Sequence, residues 1–240
     1  MDIDQHEIVS RDEWQKARKA LLAKEKEFTR LRDELSATRR QLPWERVETN
    51  YVFEGPDGPE TLADLFGGKS QLVVYHFMFR PEAERGCPNC SFWADNFNGI
   101  VTHLEHRDVR FVAISRAPLA KLLAFRNQLG WSFEWVSSGG NTFNQDYAVS
   151  FSPEDVARGH FKYNYNDTHR AYGVDMPGIS VFYKDATDAT DAVFHTYSTY
   201  SRGIDMMNTA YHYLDLVPKG RDEETDGAMS WLRYRDRYER

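Results

Sequence analysis

The apolar positions are spaced differently in successive parts of the chain. Over residues 11–40, Trp14, Leu21, Phe28 and Leu35 recur every seven positions, with Ala17 and Leu31 on the adjoining position and charged residues elsewhere. This is a single narrow apolar stripe of helical period, and Pro43 ends it. It predicts a charged helix lying on the domain surface, with a helix embracing a partner subunit, as in a homodimer, as the alternative. The stripe is short and Lys24 interrupts it, which argues against a coiled coil.

From Trp44 to Ser70 the pattern shortens. Tyr51–Phe53 reads as a strand, residues 55–59 (Gly-Pro-Asp-Gly-Pro) as a turn, and Thr61 as the cap of a short helix closing at Gly67 and Gly68. Leu72–Phe79 is apolar throughout, the mark of a strand buried on both faces. Phe92, Trp93, Phe97, Ile100, Val101 and Leu104 then have helical spacing over 91–104. Val109–Ile114 reads as a second buried strand, and Pro118 opens a helix running to Gly130. Strand, helix, strand, helix implies a crossover and a parallel sheet. Residues 131–175 lack sustained periodicity and predict an insertion or lid. Ile179–Tyr183 and Ala192–Thr196 predict a hairpin joined by Asp185–Asp191, followed by a last helix over Met206–Leu216.

Composition narrows the class. The chain has 240 residues, 41% hydrophobic and 28% charged, which fits one large domain with extensions. A net charge of −7 argues against nucleic acid as a partner, and no apolar run reaches the roughly 20 residues of a membrane span. The first residues lack the basic start and apolar core of a signal peptide, so a cytoplasmic setting is expected.

The chemistry concentrates in the only two cysteines, Cys87 and Cys90. They form a Cys-Pro-Asn-Cys pair between a predicted strand and a predicted helix, the setting of a thioredoxin-like redox site. The expected fold class is therefore α/β and thioredoxin-like, a central mixed sheet flanked by helices. Its expected parts are an N-terminal helical extension (1–46), a core domain (47–217, with 131–175 inserted before the third core strand) and a C-terminal tail (218–240). If the first two core strands are parallel, their ends bring Cys87 beside Ser115 and Arg116. The start of the third strand adds Pro177, and the end of the fourth adds His195.

A helix N-terminus stabilises a thiolate, which makes Cys87 the expected attacking thiol and Cys90 the resolving one. Pro88 restricts the loop, Arg116 is expected as a cationic neighbour, and Pro177 as a cis proline facing the dithiol. The substrate class is a protein disulfide or a small thiol or disulfide, with no cofactor. Structural zinc is disfavoured because there is no second cysteine pair. Two alternatives compete. One is a peroxiredoxin-like peroxide reductase using donors such as Ser115, Arg116, Thr196 or Tyr197. The other is a non-catalytic interaction module or Cu(I) site built from the two thiolates and His195.

The chain also resembles a family known mainly as a domain of unknown function and predicted to be thioredoxin-like dithiol–disulfide oxidoreductases. The matching stretches include 30–35 (Arg-Leu-Arg-Asp-Glu-Leu), 75–79 (Tyr-His-Phe-Met-Phe), and the longest, 86–99, from Gly86 through Cys87 and Cys90 to Gly99. Ser115–Pro118, Gly130–Trp131, Trp135–Ser138, Pro177–Phe182 and Phe194–Tyr200 complete them. The resemblance covers nearly the whole chain and implies the same fold and a redox activity. Arg235 departs from it, at a position where a histidine is expected.

Overall fold

The computed structural model describes residues 6–159, 161–168, 173–185, 192–223 and 227–239. Its elements run α1 (Arg11–Arg39), β1 (Glu45–Arg46), β2 (Val52–Gly55), β3 (Gly58–Thr61), β4 (Gln71–His76), α2 (Pro88–Ala94), α3 (Val101–Glu105), β5 (Val109–Ser115) and α4 (Leu119–Gln128). There follow β6 (Glu134–Ser137), α5 (Phe143–Asp146), α6 (Pro153–Arg158), β7 (Phe161–Tyr163), β8 (Asn166–Thr168), β9 (Gly178–Lys184), β10 (Val193–Tyr200) and α7 (Thr209–Leu214). Residues 1–5, part of the stretch on which the signal-peptide expectation rests, and residues 186–191 of the predicted hairpin loop lie outside the described residues.

One eight-stranded sheet has the order β1-β10-β9-β4-β5-β6-β2-β3. β4 and β5 are parallel, in register from Gln71↔Val109 to His76↔Ile114. β9 lies antiparallel on the other side of β4, and β10 is antiparallel to β9. The succession β5-β4-β9-β10, with β9 alone reversed, is the thioredoxin-like core, and the fold class is the one the sequence predicts. β4 and β5 read as unbroken apolar runs because both faces are covered. Leu72 and Val74 pack with Val112 and Ile114 on one face, while Tyr75 packs with Ala113 and Trp135 on the other.

Several boundaries differ from the sequence reading. Residues 134–137, inside the expected insertion, form β6 and extend the sheet parallel to β5. The excursion before β9 is thus α5, α6 and the separate β7–β8 hairpin. The single helix expected over 91–104 is two helices. Asn96 donates its side-chain amide to the Phe92 and Trp93 carbonyls (2.8 and 3.2 Å), taking acceptors that a continuing helix would use.

The N-terminal helix also departs from expectation. Ser10 and Glu13 form a reciprocal capping box at its start, yet no residue along its length is buried. It does not lie on the domain surface. Near its end, Arg39 sits over the Tyr197 ring at 4.7 Å. Among the described residues, no helix is long and apolar enough to cross a membrane.

Candidate active site

Beyond His76 the chain leaves the sheet through Phe77-Met78-Phe79. Phe77 N–H still bonds the Ile114 carbonyl (3.0 Å), and Phe79 accepts from Ala117 N–H (2.8 Å). The segment is therefore tied to β5 although it is no longer a strand. It returns at Gly86, where the backbone crosses two rings. A Cβ there would lie 2.7 Å from Phe77 Cε1 and 2.8 Å from Phe125 Cε1, so only glycine fits without displacement.

Cys87 is the N-cap of α2 and Pro88 its first residue, where the missing N–H costs nothing. Cys87 N–H bonds the Met78 carbonyl (3.0 Å), and Met78 N–H points at Cys90 Sγ (3.4 Å). This two-way link docks the Cys-Pro-Asn-Cys turn on the end of β4. Both thiols are free; Cys87 is half-buried and Cys90 is buried.

The two sulfurs are driven apart electrostatically. The Cys90 side chain hydrogen-bonds the Cys87 sulfur, and with the Cys90 and Asn89 N–H groups it outweighs burial, lowering Cys87 to about 7. Burial first, then the hydrogen bond to Cys87 and the Cys87 charge, push Cys90 well above the ordinary thiol value. The pair therefore holds a ready thiolate at Cys87 and a proton at Cys90. Tyr75, buried behind them, is held protonated by the same burial, and its hydroxyl reaches the Cys90 carbonyl at 3.5 Å.

A cavity of about 1070 Å³ opens over the pair. Tyr75, Trp93, Tyr163 and Tyr211 give it aromatic walls, and Asp175 and Arg221 are among its charged residues. Tyr163 fixes one wall, donating its hydroxyl to the Pro177 carbonyl (2.7 Å) while accepting from Ser201 N–H (2.9 Å). No sequence signal points to Tyr163, because it lies in the aperiodic stretch before β9. The tail forms another wall. Glu223 Oε1 accepts from Tyr211 Oη, Met229 N–H and Trp231 Nε1 (3.0, 2.9 and 2.8 Å), and Arg221 bridges Asp205 and Asp215.

Of the residues predicted for the site, Cys87, Cys90, Pro88 and Pro177 line this cavity together. The peptide bond before Pro177 is trans, against the expectation of cis. Met176 N–H bonds the Val149 carbonyl (2.9 Å), and Asp175 pairs with Ser150 as an isolated bridge. These contacts hold the approach to β9 extended, which the lower-energy trans isomer satisfies.

Ser115, Arg116 and His195 are not among its lining residues. Ser115 is fully buried; its hydroxyl donates to the Phe77 carbonyl (2.6 Å) and accepts from Trp135 Nε1 (3.0 Å). Arg116 holds the buried carboxylate of Asp175 through Nε and Nη2 (3.0 and 2.8 Å), and Asp175 also accepts from Ser150 Oγ. Arg116 is thus a partner of a carboxylate, and Cys87 is lowered by its own turn.

His195 is displaced because β10 runs on past Thr196 to Tyr200. His195 pairs with Phe182, which pairs with Leu72 at the start of β4, the end away from Cys87. It lies on the opposite face, against Phe182 and Tyr147. There a hydrogen-bonded row links buried His76 through Ser180 and Ser198 to His195 (2.8, 2.8 and 2.7 Å) and on to Glu45 (3.4 Å). Burial, and secondarily His195, depress His76 to about 3. The two thiols and His195 therefore do not form one donor set, and the Cu(I) alternative loses its third ligand. Among the described residues no cluster of three His, Cys, Asp or Glu side chains is arranged to hold a metal.

No curated protein matches the sequence. Among solved structures, the chain is similar to peroxidoxin BcpB from Mycobacterium tuberculosis, with 15% identity and a TM-score of 0.46, covering 70% of this chain and 94% of that one. It is also similar to a mutant of Xanthomonas campestris peroxiredoxin Q, with 12% identity and a TM-score of 0.48, covering 72% and 97%. Both scores are low, and the fold assignment rests on the strand order and register above. The sequence itself matches the family described as bacterial protein of unknown function (DUF899) over residues 3–238, and the chain belongs to that family.

Proposed function

We propose that this chain is a dithiol–disulfide oxidoreductase in which Cys87 attacks and Cys90 resolves. The observation that carries the reading is the asymmetry of the two thiols. Cys87 is lowered to about 7 at the mouth of a cavity, while Cys90 is buried and raised. A thiol titrating near ambient pH combines thiolate population with nucleophilicity, the optimum for exchange.

In the first step the Cys87 thiolate attacks one sulfur of a substrate disulfide. A mixed disulfide with Cys87 forms, and the other half of the substrate leaves as a thiolate. That thiolate takes up a proton, and Cys90 gives one up. Cys90 Sγ then attacks Cys87 Sγ, closing the Cys87–Cys90 disulfide and releasing the second half as a thiolate. The dithiol loses two electrons and the substrate disulfide gains them. Met78 N–H, aimed at Cys90 Sγ, supports negative charge there during the second step. Two thiols of a reducing compartment, or one dithiol, return the pair to its dithiol form and leave as a disulfide.

The peroxide alternative requires donors beside Cys87 to polarise an O–O bond. Of those foreseen for it, Ser115 is committed to Phe77, Arg116 to Asp175 and Thr196 to the Val181 carbonyl, while the Tyr197 ring lies under Arg39 at the end of α1. Disulfide exchange needs no such donors. Turnover of a model disulfide by wild type, Cys87→Ser and Cys90→Ser tests the reading. Cys87→Ser is expected to be inactive, and Cys90→Ser to accumulate mixed disulfides. Full activity in both variants would refute it.

A further inference from the structure

Independently of the dithiol, we infer that α1 is a dimerisation element: two copies of the chain associate through a parallel two-stranded coiled coil. The first observation is exposure. Trp14, Leu21, Phe28, Leu31 and Leu35 are 58, 52, 66, 56 and 58% exposed on a helix with no buried residue. A 29-residue helix is about 44 Å long. Most helical stability in proteins comes from packing an apolar face, and no described residue of the chain covers this one.

The second observation is register. Only one heptad frame keeps the seam that holds the large apolar residues largely free of charge. Trp14, Leu21, Phe28 and Leu35 take position a, and Ala17, Lys24, Leu31 and Thr38 take position d. The alternative frame, with the large residues at d, would put Arg18, Glu25, Arg32 and Arg39 at a. Lys24 interrupts the seam, but its stem can lie along it and carry the ammonium to water.

The third observation, charge complementarity, selects the occupant and its direction. In this frame the g positions are Glu13, Ala20, Glu27 and Glu34, and the e positions are Arg18, Glu25, Arg32 and Arg39. In a parallel pair each g residue meets the e residue five positions later on the other helix. That matches Glu13 with Arg18, Glu27 with Arg32 and Glu34 with Arg39, while Ala20 faces Glu25 without conflict. An antiparallel pair sets the glutamate row against itself and the arginine-rich row against itself. In the single chain Arg18 holds Glu25 of its own row (2.8 Å). Among the described residues, Glu27, Arg32 and Glu34 have no ion-pair partner. A row of acid on one flank and base on the other fits a second copy of the same helix.

The test uses the full chain with Cys87→Ser and Cys90→Ser, so that the native thiols do not interfere. Light scattering is expected to give twice the 28.0 kDa chain mass. Phe28→Glu should yield a monomer, and Glu27→Arg with Glu34→Arg should weaken the dimer at least tenfold. Adding Arg32→Glu and Arg39→Glu to that pair should restore it. Glu27, Arg32 and Glu34 lie on the exposed helix, and Arg39→Glu alone controls for loss of the Tyr197 contact, so the swap reads association and not the folding of the core. In the same background, Trp14→Cys should cross-link into a disulfide dimer, since only a parallel pair brings the two copies of position 14 together. A monomer at tens of micromolar, a dimer indifferent to the charge swap, or failure of the Trp14→Cys cross-link would each overturn the proposal.

Discussion

The Tyr234 hydroxyl donates to the Gly86 carbonyl at 2.6 Å, so a residue of the C-terminal tail holds the turn that presents Cys87. The Tyr234 ring packs edge-on against Phe125 and under the Arg85 guanidinium (4.2 Å), while Gly86 rides over Phe77 and Phe125. Tail, α4 and dithiol turn are one packed unit.

Two substitutions probe that unit from opposite sides. Tyr234→Phe removes only the hydroxyl and is expected to lower stability by about 1 kcal/mol, the net worth of one hydrogen bond. Gly86→Ala inserts a methyl into ring contacts under 3 Å and is expected to cost about 1–3 kcal/mol, as overpacking does. Urea unfolding of the reduced proteins measures both. A neutral Gly86→Ala would mean that the turn is not held against the rings.

The thiol asymmetry predicts a pH profile. Alkylation of Cys87 by iodoacetamide should rise through an inflection near pH 7, well below that of an ordinary thiol. The Cys90 side chain is the largest cause of that lowering, so Cys90→Ala should move the inflection upward. An unchanged inflection would assign the lowering to the N–H groups of Cys90 and Asn89 alone.

These residues also show where the sequence was legible. The core order and the dithiol could be read because their signals are local: unbroken apolar runs at β4 and β5, and a cysteine pair followed by helical spacing. His195 was misplaced because the end of β10, Tyr197–Tyr200, mixes aromatic with hydroxyl residues and carries no clear alternation. A strand closed too early put its last histidine at the wrong end of the sheet. Ser115 and Arg116 do stand at the C-terminal end of β5, but spacing does not reveal that one hydroxyl turns inward to Phe77 and one guanidinium turns to Asp175. Tyr163 and Tyr234 contribute through contacts distant in sequence, which no periodic pattern encodes.

His76 predicts acid sensitivity. Its folded value is near 3 against an ordinary 6.5, so between those values the unfolded chain binds a proton that the folded chain excludes. Stability therefore rises with pH across this window and falls on acidification. From pH 7.5 to pH 5 the loss from this residue is about 2 kcal/mol. His76→Phe keeps a ring between Phe143 and Tyr147 and removes the titration, so its stability should be flatter by that amount over the same range. Parallel slopes for the two proteins would rule out His76 as the source.

Arg116 separates the sequence reading from the structural one. A cation activating Cys87 and a cation neutralising Asp175 predict different outcomes for Arg116→Gln. Asp175 is buried, and among the described residues its side-chain partners, Arg116 and Ser150, bind the same oxygen, Oδ1. Removing the guanidinium leaves a buried carboxylate with one hydroxyl for support, a change that typically costs about 3–5 kcal/mol for a fully buried pair. Arg116 is 22% exposed, so the lower end of that range is expected. The alkylation inflection of Cys87 should stay near pH 7, because its causes lie within the Cys-Pro-Asn-Cys turn. If the inflection rises while stability holds, Arg116 acts on the thiolate after all, and its pairing with Asp175 is incidental.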